Sequence, residues 1–466
     1  MNKRQDRQQK KLHELGNEKI PKLLWRYFVP AFTGIIINAL YNIVDRIFIG
    51  QYVDSMALAG LSAVFPIMTI IAAFGMMVGL GAGARVSINM GKGDLNRVAL
   101  VIGNAVVLTC ITAAFLTITG YFAREHILGF FGVGEATYGY AKDYIDIIIG
   151  GIIFNIMGYS MSDLIRSEGN ARVAMTFLMI SASTNILLDY IFVVHLGWGV
   201  KGAAYATVIS QAILATLALS HFRSKRAVVQ FKNSDLRLTK DIIWYIFSIG
   251  FAPFAMQIAS SAVFGFLNVQ LVKYGNDTAV GALGIIISIN LLVIMTVMAI
   301  NMANQPIIGF NYGAGNLKRV KETWVTSMGF ATLISLFGFF IIVFFPEAII
   351  KLFNSDDAEL LSIGVDGLRR FLIALPVIGF QVVTVSYFQS TSRPKYSVSL
   401  SLTRQVLVLI PMIWLLPQFY GLQGVWIAPA VADVVAAIIT FTVVCIEYRK
   451  LNRSISEMGE PIPAVC

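Results

Sequence analysis

The chain has 466 residues, of which 57% are hydrophobic and only 13% are charged. A large soluble domain with this small share of charged residues would lack a hydrated surface. The composition therefore excludes such a domain and favours an integral membrane protein. The formal net charge of +10 comes from basic residues dispersed over short loops, which argues against nucleic-acid binding.

The N-terminal segment 1–22 is a polar tail, and the apolar segment after it lacks a small-residue cleavage pattern, so we do not expect a removable signal peptide. Apolar runs of about 20 residues follow, each long enough to cross the hydrocarbon core as a helix. They predict an all-α membrane protein with twelve transmembrane helices. The predicted spans are 23–48, 57–82, 98–120, 138–163, 173–195, 201–222, 243–272, 279–305, 323–345, 368–388, 397–417 and 422–446.

The longest strongly charged connection, 223–241, divides the predicted spans into two sets of six. We therefore predict an N-terminal six-helix bundle (23–222), a cytoplasmic linker (223–241), a C-terminal six-helix bundle (242–447) and a C-terminal tail (448–466). Lys and Arg collect in the tails and the linker, so the positive-inside rule places both termini in the cytoplasm. We expect a multi-pass monomer in the bacterial inner membrane.

Segments of the first half match segments of the second half at a constant shift of 222 residues (313 − 91). Such matches indicate an internal duplication into two pseudo-symmetric bundles. Because each half has an even number of spans, both halves insert in the same orientation, which predicts a pseudo-twofold axis along the membrane normal and a central cavity. The matches are GKGDLNRV (91–98) with GAGNLKRV (313–320), GVKG (199–202) with GLQG (421–424), and ALAGL (57–61) with AVGAL (279–283).

Two acidic residues fall inside predicted spans of the first half, Asp45 in the first and Asp189 in the fifth. An ionised carboxylate in a bilayer costs several kcal/mol, so each needs a partner, a proton or a wet cavity. Asn185 lies one helical turn before Asp189, so both side chains can offer oxygens to one ion. In the second half, Leu267 and Pro411 stand at the equivalent positions. We predict a one-sided coupling site for Na⁺ or H⁺.

For Asp45, the competing interpretation is an ion pair with Arg46 near the outer end of the helix. Pro30 removes a backbone hydrogen bond from the first span and predicts a bend, either static or linked to ion binding. Met256 and Gln257 are candidates for a substrate cavity in the second half, where methionine adapts to varied apolar ligands. Further candidates for the ion's shell or the cavity, each equally typical of helix–helix hydrogen bonding, are Tyr41, Asn42, Tyr144, Asn155 and Thr207.

Two further groups of charged residues lie at or within predicted spans. Asp163, Arg166 and Glu168 follow the fourth span, where an exposed ion-pair cluster at the cytoplasmic surface is predicted. Arg404 and Asp433 lie in the eleventh and twelfth spans, and we predict that they pair across the second bundle.

Four motifs are specific: VDRIFIGQ (44–51), IRSEGNARVAM (165–175), QPIIGFNYGAGNLKRV (305–320) and the paired GVKGAA and GLQGVW segments. On these motifs the chain resembles the multidrug and toxic compound extrusion (MATE) family over nearly its whole length. The resemblance implies two six-helix lobes that form a V-shaped cavity. It also implies export of cationic amphipathic drugs or metabolites by Na⁺ or H⁺ antiport with alternating access, and no cofactor.

The bacterial branch that the chain resembles has its cation site in the N-terminal lobe. The motif positions of that site fall on Asp45, Asn185, Asp189 and Thr207, which are the implied metal ligands if the ion is Na⁺. Other branches carry acids in the seventh and tenth spans. This chain has uncharged polar residues in the seventh and no acid within 371–389, so we do not expect a second cation site.

Three other classes of protein compete with this interpretation. A lipid-linked precursor or polysaccharide flippase of the same superfamily is the main alternative, but its cavity should display Arg and Lys for pyrophosphate, and the central spans have few. A major-facilitator transporter shares the two halves, but the repeated Arg expected in its charged loop is missing. An enzyme needs a nucleophile with a base or a metal set, and no HExxH or GxSxG pattern occurs, so we predict that the chain is not an enzyme.

Overall fold

A computed structural model describes residues 3–130, 133–353 and 357–457, so the first two residues and the end of the C-terminal tail lie outside the described part. The described residues are helical almost throughout and contain no strand. Two π-helical turns are also present, one at Tyr190–His195 and one at Thr403–Leu409. The helices are α1 (Lys3–Asn17), α2 (Ile20–Tyr52), α3 (Ser55–Gly91), α4 (Leu95–Phe130), α5 (Glu135–Ser167), α6 (Ala171–Asp189), α7 (Gly199–Arg223), α8 (Lys240–Tyr274), α9 (Asp277–Gly313), α10 (Leu317–Phe344), α11 (Pro346–Lys351), α12 (Ala358–Phe371), α13 (Leu375–Ser390), α14 (Pro394–Leu402) and α15 (Ile410–Glu457).

The described helices confirm the predicted all-α membrane protein. Ten helical segments are long and apolar enough to span a bilayer, and the pair α12 and α13, bent by 47°, makes one more. The segment Pro394–Glu457 counts as one of the ten, yet its backbone breaks at Gly421, where φ is 55°. Dividing it there gives the twelve spans that the sequence predicts.

The backbone repeats the predicted duplication in detail. Gly93 and Gly315, which are 222 residues apart, both have positive φ (74° and 75°) in the turn that ends α3 and α9. The next residue in each turn caps the following helix, because Asp94 Oδ1 accepts the Arg97 backbone N–H at 3.0 Å and Asn316 Oδ1 accepts that of Arg319 at 3.2 Å. Equivalent sequence therefore produces equivalent helix starts in the two halves.

The chain divides into two compact units. One contains the residues up to Asn17 together with Val29–Phe254, and the other contains Glu18–Phe28 and the residues from Ala255 on. We call them unit 1 and unit 2. In unit 1 the first part of α8 packs closely on α3, since a Cβ added at Gly250 would lie 1.9 Å from the Met77 carbonyl oxygen.

The linker and α1 are ordered parts of unit 1. Ala227, Val228, Val229 and Phe231 of the linker are buried. Asn104 of α4 holds the end of the linker, because its Nδ2 donates to the Arg237 carbonyl at 3.0 Å and its Oδ1 accepts the Thr239 N–H at 2.8 Å. Helix α1 also docks there, with Lys11 Nζ donating to the Gly169 carbonyl at 3.0 Å and Leu15 buried. One surface of unit 1 is thus covered by segments with strongly charged sequences.

The prediction of an exposed ion-pair cluster after the fourth span is wrong. Asp163, Arg166 and Glu168 are only 9%, 8% and 0% exposed, and Arg166 pairs with Asp163. Glu168 Oε1 lies 2.5 Å from His221 Nε2 of α7, and Oε2 accepts the Val228 N–H at 3.2 Å. The linker covers Glu168 at Val228, and the hydrogen bonds of the Glu168 carboxylate offset the cost of its desolvation.

The described part of unit 2 contains two ion pairs in which a buried acid meets a partly exposed arginine. Arg404, in the π-helical turn before α15, pairs with Asp433, as predicted. At another position, Glu447 Oε1 accepts a hydrogen bond from the Tyr387 hydroxyl at 2.8 Å and pairs with Arg393. These acids have partners, which distinguishes them from the acids of unit 1 described below.

Candidate cation site

Three helices of unit 1 bring the four predicted cation-site residues into one buried region. Asp45 is on α2, Asn185 and Asp189 are on α6, and Thr207 is on α7. Their exposed fractions are 8%, 1%, 0% and 4%, so none is a surface residue. Asn185 Nδ2 lies 3.5 Å from Thr207 Oγ1, which joins α6 to α7 at the site.

Four oxygens of this site are buried without hydrogen-bond partners. They are Asp45 Oδ1, Asn185 Oδ1 and both carboxylate oxygens of Asp189. Native proteins pair most of their buried polar atoms, so several such atoms at one place call for a ligand or a proton. The two carboxylates also lie close enough to interact electrostatically. An apolar region disfavours two ionised carboxylates, so either a bound cation or protonation of one of them is needed to stabilise the pair.

The described contacts include no direct salt bridge between Asp45 and Arg46, although the Arg46 charge still acts on the Asp45 carboxylate. Arg46 is exposed, and its guanidinium lies over the Phe65 ring, 5.0 Å from the centroid. Successive residues of a helix point about 100° apart, so Asp45 can face the interior while Arg46 faces outwards. Asp45 therefore belongs to the buried site.

Asp189 is the last residue of α6 before the π-helical turn Tyr190–His195. A π-helical turn shifts the side chains that follow it and is frequent at functional sites. The connection that follows contains Gly197, with φ of 67°, and α7 begins at Gly199, with φ of 57°. The short reversal returns the chain so that Thr207 of α7 lies beside Asn185 of α6.

The structure places three of the additional candidates around this region. Tyr144 interacts with Thr207 and with both carboxylates, so it belongs to the site's surroundings. Tyr41 and Asn42 belong to a polar network with Asn38 and Tyr159: the two tyrosine hydroxyls are 3.4 Å apart, and Asn42 Nδ2 donates to the Asn38 carbonyl at 2.7 Å. Sequence reasoning missed Asn38 and Tyr159.

The remaining candidates lie on three helices: Pro30 on α2, Asn155 on α5, and Met256 with Gln257 on α8. Asn155 of α5 is partly buried, and its Oδ1 has no hydrogen-bond partner. Pro30 is buried within α2, and the division between the two units falls just before it, between Phe28 and Val29. Met256 and Gln257 are partly buried on α8 in unit 2, so their role in a substrate cavity stays a prediction.

The donor set is compatible with either coupling ion. Na⁺ prefers carboxylate, amide and hydroxyl oxygens, and the four residues offer these. A proton needs only a carboxylate without a partner, which Asp189 provides. The described residues contain no group of three or more His, Cys, Asp and Glu that could hold a metal ion.

This is a polytopic helical membrane protein with two repeated halves, and within its described residues the partnerless buried acids lie in the first half. Such an architecture is that of a secondary transporter. The sequence model of the MatE family matches residues 30–191 and again 253–415, once in each half. The chain belongs to the MATE family. The double match also agrees with the internal duplication.

Individual relatives align with this chain over nearly its full length. The multidrug export protein MepA of Staphylococcus saprophyticus is 24% identical over 451 residues, which cover 96% of this chain and 99% of MepA. The solved structure of the MATE multidrug transporter DinF-BH is 36% identical, with a TM-score of 0.86, and covers 93% of this chain and 96% of that one. A MOP superfamily transporter from Pyrococcus furiosus is 24% identical with a TM-score of 0.88, covering 95% and 98%.

Proposed function

We propose that this protein is a multidrug efflux antiporter of the bacterial inner membrane, with both termini in the cytoplasm. It exports small cationic amphipathic compounds in exchange for Na⁺ or H⁺ by alternating access. The names of the relatives support export of drugs, and the buried acids of unit 1 support ion coupling. The observation that carries the proposal is the group of partnerless oxygens on Asp45, Asn185 and Asp189.

The site couples ion binding to helix packing because its ligands come from different helices. A cation or proton between Asp45 and Asp189 removes the repulsion that otherwise separates α2 from α6. When the ion leaves, the repulsion returns, and α2 can respond at Pro30, where one backbone hydrogen bond is missing. Two states of α2 that differ in ion affinity are what an antiporter needs, since the ion then shifts the population of the transporter's conformations.

The flippase alternative has little support in the second bundle. Arg404 lies in a predicted span of unit 2, and it already pairs with Asp433. A pyrophosphate would need several free Arg or Lys side chains. The transport assay distinguishes ion-coupled efflux from the flipping of a lipid-linked substrate.

The transport assay measures efflux of a lipophilic cation, tetraphenylphosphonium, from loaded proteoliposomes. We expect an inward gradient of either Na⁺ or H⁺, imposed separately, to accelerate efflux. A tenfold ion gradient carries about 1.4 kcal/mol, so a one-for-one electroneutral exchange sustains about a tenfold substrate gradient. Liposomes without protein give the background. Equal rates under both gradients and without any gradient would indicate a channel or a flippase instead.

A further inference from the structure

A small cavity lies directly beside the cation site in unit 1. Its volume is about 10 Å³, and seven of its ten lining side chains are polar. Helices α2, α5, α6 and α7 all contribute to it. A buried cavity needs roughly 10 Å³ and two to four polar partners to hold one water molecule, so both conditions are met.

Asn185 belongs both to the cation site and to the wall of this cavity. Its Oδ1 is buried and has no hydrogen-bond partner, so it offers an acceptor to an occupant. The Tyr41 and Tyr159 hydroxyls, 3.4 Å apart, and Asn38, whose Nδ2 donates to the Tyr159 hydroxyl at 3.3 Å, line the cavity as well. Gln211 of α7 adds an amide with both a donor and an acceptor.

The lining has no Asp, Glu, Lys or Arg. Neutral donors and acceptors satisfy a water molecule, whereas a resident cation would lack a countercharge in this buried place. The cavity therefore suits water as its permanent occupant, with ions only passing through. The carboxylates that hold an ion, Asp45 and Asp189, are each one helical turn from a lining residue, Tyr41 and Asn185 respectively.

Leu178, Ala182 and Leu214 form the apolar part of the wall, and the two leucines are its large side chains. Leu178 on α6 is two helical turns from Asn185, and Leu214 on α7 is two turns from Thr207, both towards the ends that adjoin Glu168 and the linker. These are the ends predicted to face the cytoplasm. Gly34 of α2 packs against this wall, because a Cβ added there would lie 3.2 Å from Leu178 Cδ1. Gly34 is one turn after Pro30, so a bend of α2 at Pro30 changes the packing on Leu178.

We propose that this cavity is the inner exit of the cation site. One water molecule in it hydrogen-bonds Asn185 and the tyrosine hydroxyls, and the coupling ion passes through it after leaving Asp45 and Asp189. Leu178 and Leu214 close the cavity on its inner side until α2 moves. The inference rests on the proposed antiport, and it adds Tyr159 and Gln211 as residues of the ion's path.

The test separates ion binding from ion exit. Gln211→Leu replaces an amide in the cavity wall with an apolar side chain of similar size and leaves Asp45 and Asp189 unchanged. We expect the gradient-driven efflux rate to fall about tenfold, because a barrier increase of the size of one lost hydrogen bond slows a step by this order. We expect the ion's affinity, measured from the ion-dependent shift of the thermal unfolding midpoint, to change less than about twofold.

Thr109→Val is the matched control. Thr109 is a fully buried residue of α4 in the same unit, its Oγ1 has no hydrogen-bond partner, and it is not part of the cavity wall. It should keep the wild-type efflux rate. Tyr159→Phe removes a single hydroxyl from the cavity and tests the exit path if Gln211→Leu fails to fold. We expect its gradient-driven efflux rate to be several-fold slower than that of the wild type.

The outcomes distinguish this inference from the proposed function. Wild-type efflux rates in both Gln211→Leu and Tyr159→Phe would overturn the exit path while leaving the antiport intact. Weaker ion binding in Gln211→Leu, in proportion to the lost rate, would assign the cavity to the binding site and also overturn the exit path. Absence of any gradient dependence in the wild-type protein would contradict the antiport itself.

Discussion

Replacing Asp189 with asparagine is expected to abolish gradient-driven efflux and leave the protein folded and inserted. Asparagine keeps the size of the side chain but cannot take up a proton or neutralise a bound cation. Because both oxygens of Asp189 are buried without partners, the variant also loses an uncompensated carboxylate, so its thermal unfolding midpoint should stay equal or rise. We expect the efflux rate to fall at least about a hundredfold, to the rate of transport without ion coupling. A hundredfold decrease corresponds to an activation barrier that is higher by about 2.7 kcal/mol.

The measurement combines drug resistance in a pump-deficient bacterial host with efflux from proteoliposomes. Asp143→Asn is the matched control, since Asp143 is in the same unit, half exposed, and its Oδ2 lies 3.3 Å from Lys201 Nζ. It should transport like the wild type. Full resistance conferred by Asp189→Asn would remove the coupling assignment. Asp45→Asn should also be inactive, and the double variant should be no worse than either single one, because residues that act as a unit give non-additive losses.

The spans, the duplication and the acids of the cation site can be predicted because each leaves a signal in the sequence that needs no knowledge of tertiary contacts. A run of apolar residues is itself the evidence for a span, and an acid within such a run needs no knowledge of its neighbours to be recognised. Asp45 and Asp189 are recognised in this way. Their meeting in one buried site requires the fold, since they lie on α2 and α6.

Other features depend on partners that are distant in sequence. Asn38 and Tyr159 are 121 residues apart and look like ordinary helix-packing residues until their side chains meet. The burial of Glu168 escapes sequence reasoning because its partners, His221 and Val228, are 53 and 60 residues away. The charged residues of the linker also conceal its short apolar segment around Val228, which fixes that loop on unit 1. Charge predicts a solvated surface only where no other segment covers it.

Glu168→Ala is therefore expected to destabilise unit 1 severely. Glu168 is completely buried, and its carboxylate receives hydrogen bonds from Asn170 Nδ2 at 2.6 Å and from the Val228 N–H, besides its 2.5 Å contact with His221 Nε2. Alanine leaves all three of these groups without their Glu168 partner. We expect a loss of about 3 kcal/mol or more in the free energy of unfolding, as for other broken buried pairs.

Glu457→Ala provides the comparison, because Glu457 pairs with Arg453 but is 61% exposed, and such surface pairs contribute at most about 1 kcal/mol. The readout is denaturant unfolding in detergent, together with limited trypsin digestion. Undocking of the linker should make its basic residues, such as Lys232 and Arg237, more rapidly cleaved in Glu168→Ala than in the wild type. Equal unfolding free energies and equal cleavage rates in the two alanine variants would show that the buried contacts of Glu168 do not hold the linker in place.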